Sequence, residues 1–134
     1  MRAAAHLILY VADQRRSAEF YAAVLDCHPR LDVPGMTEFD LPGGAVLGLM
    51  PIAGIRRLLG DSLPDPALAS GVPRAELYLF HPAAEAYHAR ALEAGARELS
   101  PMLARDWGDA AAYSLDPDGH VLAFARALAP AQDF

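Results

Sequence analysis

The run AHLILYV, Ala5–Val11, is strand-like in composition, and side chains along a strand repeat with a period of two. This predicts a strand with His6, Ile8 and Tyr10 on one face and Leu7, Leu9 and Val11 on the other. Asp13 ends it. From Ser17 the period becomes helical, placing Phe20, Val24 and Cys27 on one apolar stripe. Extended runs around His28–Val33 and Met36–Leu41 flank Pro34-Gly35, and Pro42-Gly43-Gly44 leads into a strand over Ala45–Met50. Prolines and glycines interrupt the stretch from Pro51 to Pro73, where only IRRLLG reads as one or two helical turns. That length is unusual for a plain loop, so a connector with local structure or a lid is expected.

The first pattern then returns. A strand over Ala75–Phe80 precedes a helix, AAEAYHARALEAGA, closed by Gly95. Short strands follow at Arg97–Leu99 and Ala111–Leu115. Asp116-Pro117-Asp118-Gly119 is a strong turn signal before the final strand, His120–Ala125. GAVLGL (Gly44–Leu49) aligns with GHVLAF (Gly119–Phe124), so the chain reads as one βαβββ unit used twice. The expected fold is α+β. Two tandem βαβββ modules, about 4–51 and 74–127 with connector 52–73, form a partly closed mixed-sheet barrel with helices outside, as a single domain. Alternation puts His6, Ile8, Tyr10, Val46, Gly48 and Met50 on inner faces, joined by Glu76, Tyr78, Phe80, Val121, Ala123 and Ala125. Leu7, Leu9, Leu47, Leu49, Leu77, Leu79, Leu122 and Phe124 are left to pack under the helices.

Composition agrees with one self-sufficient core. The chain has 134 residues, 54% hydrophobic and 21% charged, and a chain of this size needs no disulfide to fold. A net charge of −6 argues against nucleic acid or an anionic membrane surface as partner. All eleven basic residues are arginine, which reads as genome composition. A single cysteine, Cys27, leaves no internal disulfide and no thiolate-rich metal site. The N-terminus lacks a signal-peptide pattern, no apolar run is long enough for a membrane span, and a cytoplasmic location is expected.

The segment LYVADQRRSAEFYAAVL (Leu9–Leu25), then ELYLF with the helix to EAGA, then RDWGDAAAYSLDPDGHVLAF (Arg105–Phe124), together with the paired modules, resembles the vicinal oxygen chelate superfamily. That superfamily contains glyoxalase I, bleomycin-resistance proteins, fosfomycin-resistance enzymes and extradiol dioxygenases. The resemblance spans essentially the whole chain and lies nearest the glyoxalase-like and bleomycin-resistance-like members. It implies a homodimer. It also implies that metal ligands, where members use them, come from the first and last strands of each module. Those positions carry His6, Gly48, Glu76 and Ala123 here, and the usual last-strand carboxylates are missing. A divalent ion held by protein needs three or four N/O ligands. The expectation is therefore no metal cofactor and an apolar cleft for a small organic molecule. The alternative is a lyase, isomerase or dioxygenase holding zinc, nickel, manganese or iron through His6, Glu76 and a further ligand such as His28, Glu38, His81 or Asp109.

Each candidate carries a plainer reading. His6 and Glu76 are polar anchors, metal ligands, an acid–base pair for metal-free catalysis, or a pair that satisfies only itself. Trp107 either stacks on a planar ligand or packs down to order its loop. Tyr10, Tyr78, Tyr113 and Phe39 are contacts or core, with Gly48 and Ala123 supplying space. Cys27 is expected buried and inert, His81 and His88 at the surface, and His120 solvated beside its turn.

Overall fold

A computed structural model of the chain describes residues 3–128. β1 (His6–Val11) runs into α1 (Gln14–Leu25), and then come β2 (Leu31–Val33), β3 (Met36–Asp40) and β4 (Val46–Pro51). The connector forms α2 (Ile52–Leu59) and two 3₁₀ turns, Gly60–Ser62 and Pro66–Ala69. β5 (Glu76–Phe80), α3 (Ala84–Glu93), β6 (Arg97–Ala104), β7 (Asp109–Leu115) and β8 (Val121–Ala127) complete the chain. The α+β architecture of two βαβββ modules is the one expected.

Each module makes its own mixed four-stranded sheet, in the order β1-β4-β3-β2 and β5-β8-β7-β6, with the first pair parallel in both. The two sheets are not hydrogen-bonded to each other. Register makes the internal match quantitative. Ile8 pairs with Gly48 as Tyr78 pairs with Ala123, and Glu38 opposes Gly48 as Tyr113 opposes Ala123. His6 and Glu76 are likewise equivalent, opposite Val46 and Val121.

A single core joins the modules. Val11, Phe20, Tyr21, Val24, Phe39, Leu47 and Leu49 cluster with Leu79, Ala84, Ala91, Leu122 and Phe124. Helices α1 and α3 lie together there, and Arg90 Nε donates to the Val24 carbonyl at 3.0 Å. One face of each sheet is thus covered by helix, leaving an opposite, open face.

Several local expectations change. Helix α1 starts at Gln14, ahead of Ser17, because the Asp13 carboxylate caps it by accepting from the Arg16 backbone N–H at 3.0 Å. It ends at Leu25, where Asp26 adopts a left-handed conformation with φ 52°, so Cys27 leaves the helix and is exposed. Leu7 is also exposed, at the edge of its sheet. Strand β6 extends to Ala104, past Pro101, with irregular pairing to β7 where proline cannot donate. His88 is buried, its Nε2 2.8 Å from Glu98.

Candidate functional site

The open face of the first module carries His6 beside Glu38, with Nδ1 3.6 Å from Oε2. Arg30 shares that carboxylate at 3.5 Å and reaches Asp40 at 3.3 Å. Strand pairing explains the contact, since His6 and Glu38 flank the Ile8–Gly48 position from strands on either side of β4. At Gly48 the expected space is filled: a Cβ built there would lie 3.1 Å from Ile8 Cγ1 and 3.3 Å from Met36 Sδ. The glycine allows those two side chains to close over the sheet.

In the second module the equivalent positions hold Glu76 and Tyr113. Burial, then the Glu76 charge, pushes the Tyr113 phenol up against the lowering effect of Arg105. The Arg105 guanidinium lies over the Tyr113 ring, 5.1 Å from its centroid, and donates to the Ala111 carbonyl and Ser100 Oγ. Tyr78 donates from its hydroxyl to Asp109 at 2.5 Å and accepts from Trp107 Nε1 at 2.9 Å. Burial and the Asp109 hydrogen bond raise the Tyr78 phenol above its ordinary value, with the Trp107 bond opposing. Trp107 is therefore pinned by its N–H while its ring stays 58% exposed. Ala123 lies beneath, fully buried between Tyr78 and Tyr113 in the ladder.

The expected His6–Glu76 pair is not formed within the chain: among the described residues the ionic partner of His6 is Glu38. Of the other expected donors, Asp109 accepts from Tyr78 and His81 Nδ1 accepts from the Ala83 N–H at 2.9 Å. His28 is exposed with no such partner among the described residues. Tyr10, half-buried, lines a cavity between the edges of β1 and β5 together with Glu76.

The structure also changes the reading of His120, which is only partly solvated. Its Nδ1 lies 2.8 Å from Asp116 Oδ2, and Asp116, only 5% exposed, also accepts from the Tyr21 hydroxyl at 2.6 Å. Burial opposes charge on both groups, yet their pairing outweighs it: Asp116 titrates below the ordinary carboxylate value and His120 above the ordinary imidazole value. The sequence signal was the Asp–His spacing of four across a tight turn.

A family model described as "Glyoxalase-like domain" matches residues 6–125. The chain belongs to that family. It is a glyoxalase-like member of the vicinal oxygen chelate superfamily. No protein of curated function matches it. Its fold is similar to that of a glyoxalase-related enzyme from Fulvimarina pelagi (TM-score 0.76, 23% identity, covering 94% of this chain and 88% of that one). It is also similar to a glyoxalase/bleomycin resistance protein/dioxygenase family enzyme from Burkholderia phytofirmans PsJN (TM-score 0.77, 17% identity, 92% and 98% covered). A third likeness is to a glyoxalase/bleomycin resistance protein/dioxygenase from Nocardioides (TM-score 0.69, 23% identity, 100% and 91% covered).

The donor set of this glyoxalase-like chain does not fit a divalent ion. Of the four strand positions, Gly48 and Ala123 carry no donor atom. Among the described residues His6 has only Glu38 as an ionic partner, already shared with Arg30, which falls short of three or four ligands. The carboxylates and imidazole of Asp116, Asp118 and His120 approach within 4.8 Å of one another. The two carboxylates are already taken up by Tyr21, Ser17, Arg16, backbone N–H groups and His120 Nδ1. Among the described residues no helix is long and apolar enough to cross a membrane.

Proposed function

We propose that this glyoxalase-like chain binds a planar organic molecule on the open face of its second module, with no bond made or broken. The observation that carries the reading is Trp107, whose indole is fixed through Nε1 to Tyr78 while its ring faces water. A rigid aromatic surface gains contact area at little entropic cost when a flat ligand stacks on it. Glu76, Tyr113 and Tyr78 supply the polar groups beside it. A second copy closes the cleft by bringing its first module, with His6 and Glu38, against this face. Exposed Ile8, Leu31 and Val33 on one module and Phe80, Leu103 and Trp107 on the other support that arrangement. Large apolar groups rarely stay uncovered together.

The test is a thermal-shift and sedimentation screen of aromatic dyes and heterocyclic antibiotics, with and without chelator, on wild type and Trp107→Ala. The expected result is a species of twice the chain mass, stabilised by a ligand in chelator and no longer stabilised in the variant. Retention of about one zinc, nickel, cobalt or manganese per chain after dialysis, with binding abolished by chelator, overturns the reading. So does ligand stabilisation that survives Trp107→Ala unchanged.

A further inference from the structure

The cavity between the two sheets shares Glu76 with the Trp107 face, but its walls and its chemistry are different. It encloses about 320 Å³, at the small end of the range of about 300–1,000 Å³ found for small-molecule sites. Its walls are the edge strands β1 and β5, through Leu7, Leu9 and Leu77, with Val121 at the start of β8. The second 3₁₀ turn and the segment after it, through Ala69 and Val72, form its roof. That roof is seated closely. A Cβ on Gly119 would lie 3.2 Å from Gly71 Cα, so only glycine lets the connector approach the β7–β8 turn this far.

One buried polar chain ends at this apolar lining. Tyr21 donates to Asp116, Asp116 holds His120 Nδ1, and His120 lines the cavity. With Nδ1 engaged, Nε2 is the ring nitrogen left for a ligand, and among the described residues it has no partner. Asp118 also lines the cavity, but its oxygens already accept from the Ala12 N–H, Ser17 Oγ and Arg16. The remaining charged groups are Arg74 and Glu76, both exposed and without ion pairs among the described residues. Water screens those two, whereas the His120 side chain is 29% exposed and acts through a low-dielectric wall. Burial opposes charge on its imidazole, and the hydrogen bond to Asp116 with the charges of Asp116 and Asp118 outweighs it.

We propose that this cavity is a second ligand site, taking a small organic acid whose carboxylate accepts a hydrogen bond from His120 Nε2–H while its apolar body lies against Leu9, Leu77 and Val121. Arg74 at the mouth adds a screened attraction for the same head group. Asp116 is a positioning residue: it fixes the ring so that Nε2 faces the ligand, and Tyr21 fixes Asp116 in turn.

The experiment is a titration of ¹⁵N-labelled protein at pH 6 with hexanoate, hexanamide and hexylamine, following the histidine imidazole nitrogens and the Trp107 indole. The expected result is that hexanoate moves the His120 Nε2 resonance and binds about tenfold more tightly than hexanamide, the usual scale for a charged hydrogen bond. His120→Gln makes acid and amide bind alike, and Arg74→Gln weakens hexanoate by a smaller factor. The wild-type resonances and Arg74→Gln decide the matter should His120→Gln fail to fold. Absence of hexanoate binding, a His120 signal unmoved at saturation, equal affinity for the amide, or tighter binding of hexylamine each overturns the proposal. Movement confined to the Trp107 indole also overturns it while leaving the Trp107-face reading standing.

Discussion

The turns that join the last two strands of each module share their closing backbone hydrogen bonds and differ in what holds them. In the first, Leu41 N–H donates to the Ala45 carbonyl at 2.8 Å, and in the second, Asp116 N–H donates to the His120 carbonyl at 2.9 Å. Strand register makes Leu41 and Asp116 equivalent. Both are buried. Leu41 sits in the shared apolar core, so its turn is held by area removed from water. Asp116 instead gathers the Tyr21 hydroxyl, the His120 ring and two backbone N–H groups, and its neighbour Asp118 caps the approach to α1 in the other module. Duplication preserves where a side chain stands. It does not preserve what that side chain does, and here the divergence turned one turn into a polar tie between modules.

The sharpest way to break the comparison is to make the turns alike. Asp116→Leu places the first module's residue in the second, but leaves the buried Tyr21 hydroxyl and His120 Nδ1 without their acceptor. Removing one partner of such a buried network costs about 3–5 kcal/mol, which lowers the thermal midpoint by roughly 10–20 °C for a domain of this size. Calorimetry checks it. A loss below about 1 kcal/mol would mean that a buried leucine holds this turn as well as the polar cluster does, as at Leu41.

A smaller effect follows from titration of the same pair. His120 titrates above the ordinary imidazole value, because the bond to Asp116 and the charges of Asp116 and Asp118 outweigh burial. Its contribution is fully present below about pH 6.5, the unfolded value, and is lost as pH rises through the raised folded value. Asp116 runs the other way. Its pKa is depressed by His120 and Tyr21 in spite of burial, so its contribution is present above about pH 3.9 and lost as pH falls through the lowered value. Stability from this pair is therefore greatest between about pH 4 and 6.5. Urea midpoints measured at pH 5.5 and 8.5 should fall with pH in wild type. In His120→Gln that alkaline decline should flatten, and an equal decline in both proteins would place its origin elsewhere.

The asymmetry between modules also separates what could be read in the sequence from what could not. Strand alternation and the repeated glycine turns reveal the two units, and the alignment of Gly48 with Ala123 reappears as register opposite Ile8 and Tyr78. These are local signals, carried by neighbours two to four residues apart. Partners of the polar groups are different, because they depend on which strands lie side by side. His6 meets Glu38 across β4, and the equivalence of His6 and Glu76 in the repeat did not make them an ion pair among the described residues. Asp13 had already ended a strand in the sequence pattern, which hid its second use as the cap of α1. The Asp118 contacts with Ala12 and Ser17 span 106 and 101 residues, a separation that no periodicity records.

The finest cut distinguishes the parts of that long-range tie. Asp118 accepts from the Ala12 N–H at 2.9 Å, from Ser17 Oγ at 3.0 Å and from Arg16 at 3.4 Å. Ser17 is fully buried, whereas the Arg16 side chain is 49% exposed. An exposed ion pair is worth about 0–1 kcal/mol, and a cation in the first turn of a helix opposes the helix dipole by about 0.3–1 kcal/mol. The two effects have opposite signs at Arg16. Arg16→Ala should therefore change the urea-derived stability by no more than about 0.5 kcal/mol in either direction. A loss well above that would assign the tie between modules to surface charge, and would weaken with added salt. A negligible change leaves the work to the backbone N–H of Ala12 and above all to the Ser17 hydroxyl, whose residue is fully buried and which water replaces poorly once the modules are packed.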